Sequence, residues 1–181
     1  MKVLALSMLV LVLINGTSTA QEVPLPRISP LALATAHIKD TYLKITYGQP
    51  QKKGRAIFGG LVPYGQIWRT GANEATEITL TRDVKINTRL LKAGTYALFT
   101  IPGKDAWTIL FNSDLGQWGA YNYNPKSDIM RFEVPVGMTP EARVYEAFTI
   151  RLDQQGESIV CGLMWDTTRV QFTIELTESK P

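Results

Sequence analysis

The chain has 181 residues, 45% of them hydrophobic, with 19 Lys and Arg against 16 Asp and Glu and a formal charge of +3. That balance is too even to argue for nucleic acid or an anionic membrane surface as a partner. Cys161 is the sole cysteine, which excludes an intramolecular disulfide, so the fold must rest on its core.

Lys2 is the only charged residue before Glu22, and residues 3–14 form an apolar run broken only by Ser7. Small residues follow, with Ser18 and Ala20 at the third and first positions before a cut between Ala20 and Gln21. A positive start, a short apolar stretch and small residues at the cut describe a secretory signal peptide over 1–20. A membrane anchor is disfavoured, because spanning the ~30 Å hydrocarbon core takes ~20 apolar residues. The expected product is secreted or periplasmic, has no stable membrane insertion after cleavage, and loses Lys2, so eighteen cations face sixteen carboxylates.

Residues 21–30 carry three prolines and read as an extended leader, and 31–181 as a single domain. An apolar stretch at 31–38 contains His37, the only histidine. Strands are then expected at 40–47, around Ile78 and Leu80, at Val84 and Ile86, over 94–101 and over 105–112. Further strands are expected at Met130, Phe132 and Val134, at Phe148, Ile150 and Leu152, over 157–165, and at Val170, Phe172, Ile174 and Leu176. Most alternate apolar with polar residues, the period-two pattern of antiparallel strands with one wet face. The segments 96–101 and 159–165 are apolar on both faces, which suits central strands. Turn chemistry at 87–89, 92–94, 102–105 and 154–157 agrees, and only 140–145 and part of 113–127 leave room for a helical turn. The expected fold is all-β, an antiparallel sandwich, jelly-roll-like or a partly closed barrel, of about nine or ten strands.

One segment breaks the alternation. Residues 54–75 hold five glycines, a proline, Phe58, Tyr64, Trp68, Arg55, Arg69, Asn73 and Glu74. A loop longer than ~12–15 residues is uncommon in a compact domain and often functional. A second stretch, 117–124, again mixes aromatics with amides: Trp118, Tyr121, Asn122 and Tyr123.

The run FGGLVPYGQIWRTGANEAT at 58–76, with AGTYALFTIPG at 93–103 and QWGAYNY at 117–123, resembles the bacterial domain of unknown function 2911 family. The resemblance covers nearly all of the chain after the signal. It implies a secreted bacterial domain, in some relatives joined to helical repeats, and supplies no catalytic residues to carry over.

The chemistry is weighed on the residues themselves. His37 alone cannot build a multi-histidine zinc site, and it reads as a surface or edge histidine rather than a catalytic one; no cofactor or metal is expected. Cys161 alternates with Ile159, Leu163 and Trp165, which makes it a small core residue. Lys52, Lys53 and Arg55 read as a solvated loop. Arg69 and Glu74 either pair with each other and tie down the loop, or line a pocket in which Arg69 offers a planar donor fork. Asp114 and Asp128 are loop carboxylates that spacing alone does not bring to Glu74. Trp118, Tyr121 and Tyr123 are either sugar platforms or hydrophobic cover. The leading expectation is a binding module for a glycan or small polar molecule, built from both loops. The candidates are Arg55, Tyr64, Trp68, Arg69, Asn73, Glu74, Trp118, Tyr121, Asn122 and Tyr123. The alternatives are a secreted hydrolase using Glu74 with Arg69, and an envelope scaffold that meets a protein partner.

Overall fold

The computed structural model describes residues 26–140 and 143–177. The expected signal peptide and the first half of the leader lie outside the described residues. The strands are β1 (Leu31–Ile38), β2 (Thr41–Gly48), β3 (Thr76–Leu80), β4 (Val84–Ile86), β5 (Arg89–Leu91) and β6 (Gly94–Ile101). They continue with β7 (Ala106–Asn112), β8 (Asp128–Pro135), β9 (Gly137–Met138), β10 (Tyr145–Gln155), β11 (Ser158–Asp166) and β12 (Thr168–Leu176). One sheet has the order β1-β2-β3-β6-β7-β8; the other runs β10-β11-β12-β4-β5, with β9 beside β12. Every pairing between strands is antiparallel.

The two sheets face each other as a sandwich, as the alternation predicts. From the first sheet Leu43, Ile45, Ile78, Leu80, Leu98, Ile109 and Phe111 enter the core; from the second come Val84, Ile86, Phe148, Ile159, Cys161, Leu163 and Ile174. Each fully buried side chain of this size stabilises by about 1.5–3 kcal/mol relative to exposure. Tyr47 crosses between the sheets, its hydroxyl accepting the Ile150 amide at 3.1 Å while its ring meets Phe148 edge-on.

The twelve strands exceed the nine or ten expected, and β1, β5 and β9 lie outside the segments assigned as strands from the sequence. The first is an edge strand whose Leu31 and Leu33 are exposed, and the other two have three and two residues. The helical turn expected within 113–127 is a 3-10 turn at Pro125–Ser127, started by the Asn124 side chain, which accepts the Lys126 amide. The doubly apolar segments do become interior strands: β6 lies between β3 and β7, and β11 between β10 and β12.

The second apolar face of β6 is covered from outside. Ala97 and Phe99 join Ala75 and Leu110 in a small cluster over which Ile67, Ala120 and Tyr123 pack. The 117–124 loop and the Ile67 and Ala75 parts of the 54–75 loop therefore lie on the outer face of the first sheet, while Ile57, Phe58, Val62 and Trp68 of the longer loop join the core between the sheets. That placement sets up the site.

Candidate functional site

The 54–75 segment is built from turns rather than strands. Amides of Gly60, Leu61 and Val62 donate to carbonyls of Ile57 and Ala56, closing a compact knot. Gly59 sits at φ +82 under the Tyr64 ring; a Cβ there would lie 2.6 Å from a ring carbon, so only glycine fits. Beyond the knot, Trp68 takes the place beside β6 that β3 has not reached. Its amide donates to Thr100 at 2.7 Å and its carbonyl accepts the Thr100 amide at 2.9 Å.

The strand-like placement of Trp68 sends its indole between the sheets, where it is 8% exposed. It stacks on Trp165 at 6.0 Å and meets Phe58, Trp107 and Phe148 edge-on. Its Nε1 donates to the Gly71 carbonyl at 3.1 Å. The next residues double back sharply. Thr70, fully buried and β-branched, sits at φ +54, a backbone region that such residues rarely occupy. It is held there from both sides: its hydroxyl bonds Thr100 Oγ1 at 3.1 Å and its carbonyl accepts from Thr76 Oγ1 at 2.7 Å. Strain of this kind persists only where the surroundings over-determine it, and it aims Arg69 to a fixed place.

The 117–124 loop is joined to this turn through its backbone. The Ala75 amide donates to Gln117 O at 2.8 Å, and the Gly119 amide donates to Asn73 O at 2.9 Å. From beneath, buried Asn112 donates to Asn124 O and to Asp128 Oδ1, both at 2.9 Å, and accepts the Asp114 amide. Gly119, at φ +75, is where the loops touch by side chain. A Cβ on it would come within 2.7 Å of the Tyr121 ring and 3.2 Å of Arg69 Nη1.

Together these elements enclose a cleft of about 620 Å³. Trp68 and Trp165 form its base; Leu61, Val62, Pro63, Gln66 and Ile67 form one wall, and Pro50, Gln51, Lys53 and Arg55 another. Arg69, Gly71, Ala72, Ala120 and Tyr121 complete the lining, with Ile28 and Ser29 of the leader at the rim. The volume falls within the ~300–1,000 Å³ usual for small-molecule sites, and the mix of apolar wall with few polar groups is also usual for them.

The expected site residues divide. Arg55, Trp68, Arg69 and Tyr121 line the cleft, Tyr121 with 82% of its surface exposed. Arg55 spends its guanidinium on the loop itself, donating to Lys52 O at 3.0 Å and Gln51 O at 2.5 Å. Tyr64, Asn73, Glu74, Trp118, Asn122 and Tyr123 are not among the lining residues. Tyr64 covers Gly59, and Asn73 donates to the Ser29 carbonyl at 3.3 Å. Asn122 is exposed on the loop surface, and Trp118, 60% exposed, stands opposite Glu74 in the bridge that joins the loops. Tyr123 is cover: its ring packs on Phe99 at 5.1 Å and its hydroxyl donates to Asp128 at 2.6 Å. Burial, then the Asp128 carboxylate, push its phenol well above the ordinary range.

Glu74 and Arg69 do not pair. Glu74 accepts both Nη groups of Arg27, at 2.6 and 2.9 Å, and this hydrogen bonding holds its carboxyl below the usual range. Among the described residues the Arg69 side chain has no hydrogen-bond or ion-pair partner, and its Nε is both buried and without an acceptor. His37 is exposed on β1, and Cys161 is fully buried, its thiol pushed up by loss of solvent. Among the described residues no group of three or more His, Cys, Asp or Glu could hold a metal ion.

Several lining residues escaped the sequence reading. Lys53 belongs to a basic cluster whose sequence reads as a solvated loop, Trp165 comes from the far sheet, and Ile28 and Ser29 come from the leader. The only usable signal was the Trp at the end of a doubly apolar strand, which is equally the mark of a core residue.

The model of a family described as protein of unknown function (DUF2911) matches residues 29–174. No curated protein and no solved structure matches the chain.

Proposed function

We propose that this chain, which belongs to the DUF2911 family, is an exported binding module for a small molecule, with the cleft between its two long loops as the site. The observation that carries this reading is the way the loops are built. A strained turn at Thr70, a glycine contact at Gly119 and paired backbone hydrogen bonds hold one concave, aromatic-based surface in place. Loops that serve only as connections rarely require such fixing, whereas binding surfaces gain affinity from being formed in advance.

Binding without turnover is favoured by the same geometry. Glu74, the carboxylate expected to act as a base, is held ionised by Arg27, and a carboxylate so held is a weak base. Among the described residues no Asp or Glu lines the cleft. The export reading is supported by the signal-like pattern of residues 1–20; an exported product whose mass begins at Gln21 bears it out, whereas retention of those residues contradicts it.

The test is a thermal-shift screen of sugars, metabolites and metal ions, run on the protein and on Gln66→Trp. Gln66 is exposed and lines the cleft, so an indole there fills the site without entering the core. Hits that stabilise the protein but not the variant support the reading. Hits indifferent to Gln66→Trp place binding elsewhere and overturn it.

A further inference from the structure

We infer that the cleft takes a small molecule in which a carboxylate is joined to an apolar or aromatic body, with Arg69 as the carboxylate's partner. This rests on the binding reading above and names its ligand class. Among the described residues the charge in the cleft is of one sign: Lys53, Arg55 and Arg69 line it and no Asp or Glu does. Carboxylates close in the chain to lining residues are engaged elsewhere, Asp166 facing Lys52 and Glu74 holding Arg27, and Glu146 accepts the Lys53 amide.

The three cations are not equivalent. Arg55 is bonded to two loop carbonyls, and Lys53 is an exposed ammonium on a flexible stem. Arg69 is different. It is half-buried between Gly119 and the Trp68 turn, its Nε lacks both solvent and acceptor, and among the described residues no carboxylate pairs with its side chain. Proteins pair or hydrogen-bond charges withdrawn from water, because an uncompensated one opposes folding. The Nε is closed to solvent, so an incoming anion meets the outer Nη groups, which are not closed off in this way, and supplies the counter-charge that the guanidinium lacks among the described residues. Its planar fork matches a planar carboxylate with two parallel N–H···O bonds.

The rest of the lining sets the body of the ligand. Leu61, Pro63 and Ile67 offer apolar surface over the nearly buried Val62 and two indoles, and Tyr121 at the rim offers a ring face that is still exposed. A free inorganic anion leaves that surface wet. A neutral apolar molecule leaves Arg69 unpaired. A molecule carrying both parts satisfies both halves of the cleft.

The experiment uses 3-phenylpropanoate, its primary amide and phenethyl phosphate as probes, titrated into the protein with the tryptophan indole resonances as readout. The carboxylate is expected to bind about tenfold more tightly than the amide, the size of one charge-assisted fork. Arg69→Gln should remove that preference, Arg69→Lys should keep part of it, and Lys53→Gln should weaken binding only about two- to threefold, as a screened surface charge does. Added salt should weaken the Lys53 contribution before the Arg69 one. Equal binding of carboxylate and amide in the cleft overturns the ligand class and leaves the binding reading standing. Tighter binding of the phosphate, or a carboxylate preference that survives Arg69→Gln, overturns it likewise. If none of the probes binds, the inference falls, and the broader screen with Gln66→Trp decides the cleft reading by itself.

Discussion

Replacing Arg69 by methionine keeps the apolar stem and removes the charged head, and the fold should gain from it. The Nε is buried without a partner, and leaving a buried donor unpaired costs ~1–3 kcal/mol. The residue is only partly enclosed, so its outer nitrogens still meet water and the lower end of that range applies. The methionine thioether reaches much of the surface that the guanidinium covers near Gly119 and Tyr121, which limits the loss of packing. The expected balance is a gain of about 1 kcal/mol, or ~2–4 °C in melting temperature for a domain of this size. Urea unfolding followed by tryptophan fluorescence measures it, with an unchanged slope showing that the native and unfolded states are otherwise alike. Arg55→Met is the control of opposite sign, since that guanidinium holds two carbonyls. A loss of more than about 1 kcal/mol for Arg69→Met refutes the reasoning, because it requires a bond that the side chain does not make.

Gly48→Ala should destabilise, by at least ~1–3 kcal/mol, since its Cβ falls 2.0 Å from the Ala72 carbonyl oxygen and backbone must move; a melting temperature within a degree of wild type contradicts the close approach of these segments. The Arg27–Glu74 pair depresses the carboxyl's pKa in the folded state, so its stabilisation is present above the ordinary carboxylate range and lost as pH falls through the lowered value. Arg27→Ala should therefore cost stability at pH 7 and nothing once Glu74 is protonated in both states, read from urea midpoints at the two ends of the titration. Cys161, fully buried and with its thiol pushed up by desolvation, should resist thiol reagents in the native protein and react in denaturant; rapid native labelling contradicts the inward row of β11.

The strands were legible because one wet face leaves a period of two. Phe148, Ile150 and Leu152 or Val170, Phe172 and Ile174 could be assigned from that alone. β1 was not, because Leu31 and Leu33 face solvent while Ala32 and Ala34 turn inward, so size and burial run against each other. The two loops were legible as exceptions to the alternation, and Trp68, Arg69 and Tyr121 do meet at the cleft. What the order of residues could not convey was partnership across distance. Glu74 lies five residues from Arg69, yet its partner is Arg27, 47 residues away in a segment that reads as a linker. Trp165 reaches the site from the opposite sheet, and Lys53 by a left-handed backbone at φ +49 that no pattern announces. Tyr123 shares its loop with Tyr121 but points to the Phe99 face, because the intervening turn reverses the chain.

The central claim is that ligand enters the cleft based on Trp68 and Trp165, and the indole resonances of the four tryptophans report on it directly. With a hit that raises the melting temperature added to saturation, the Trp68 and Trp165 signals should shift while that of Trp118, outside the lining, stays in place. Saturation that leaves Trp68 and Trp165 unmoved, or moves Trp118 alone, contradicts the account.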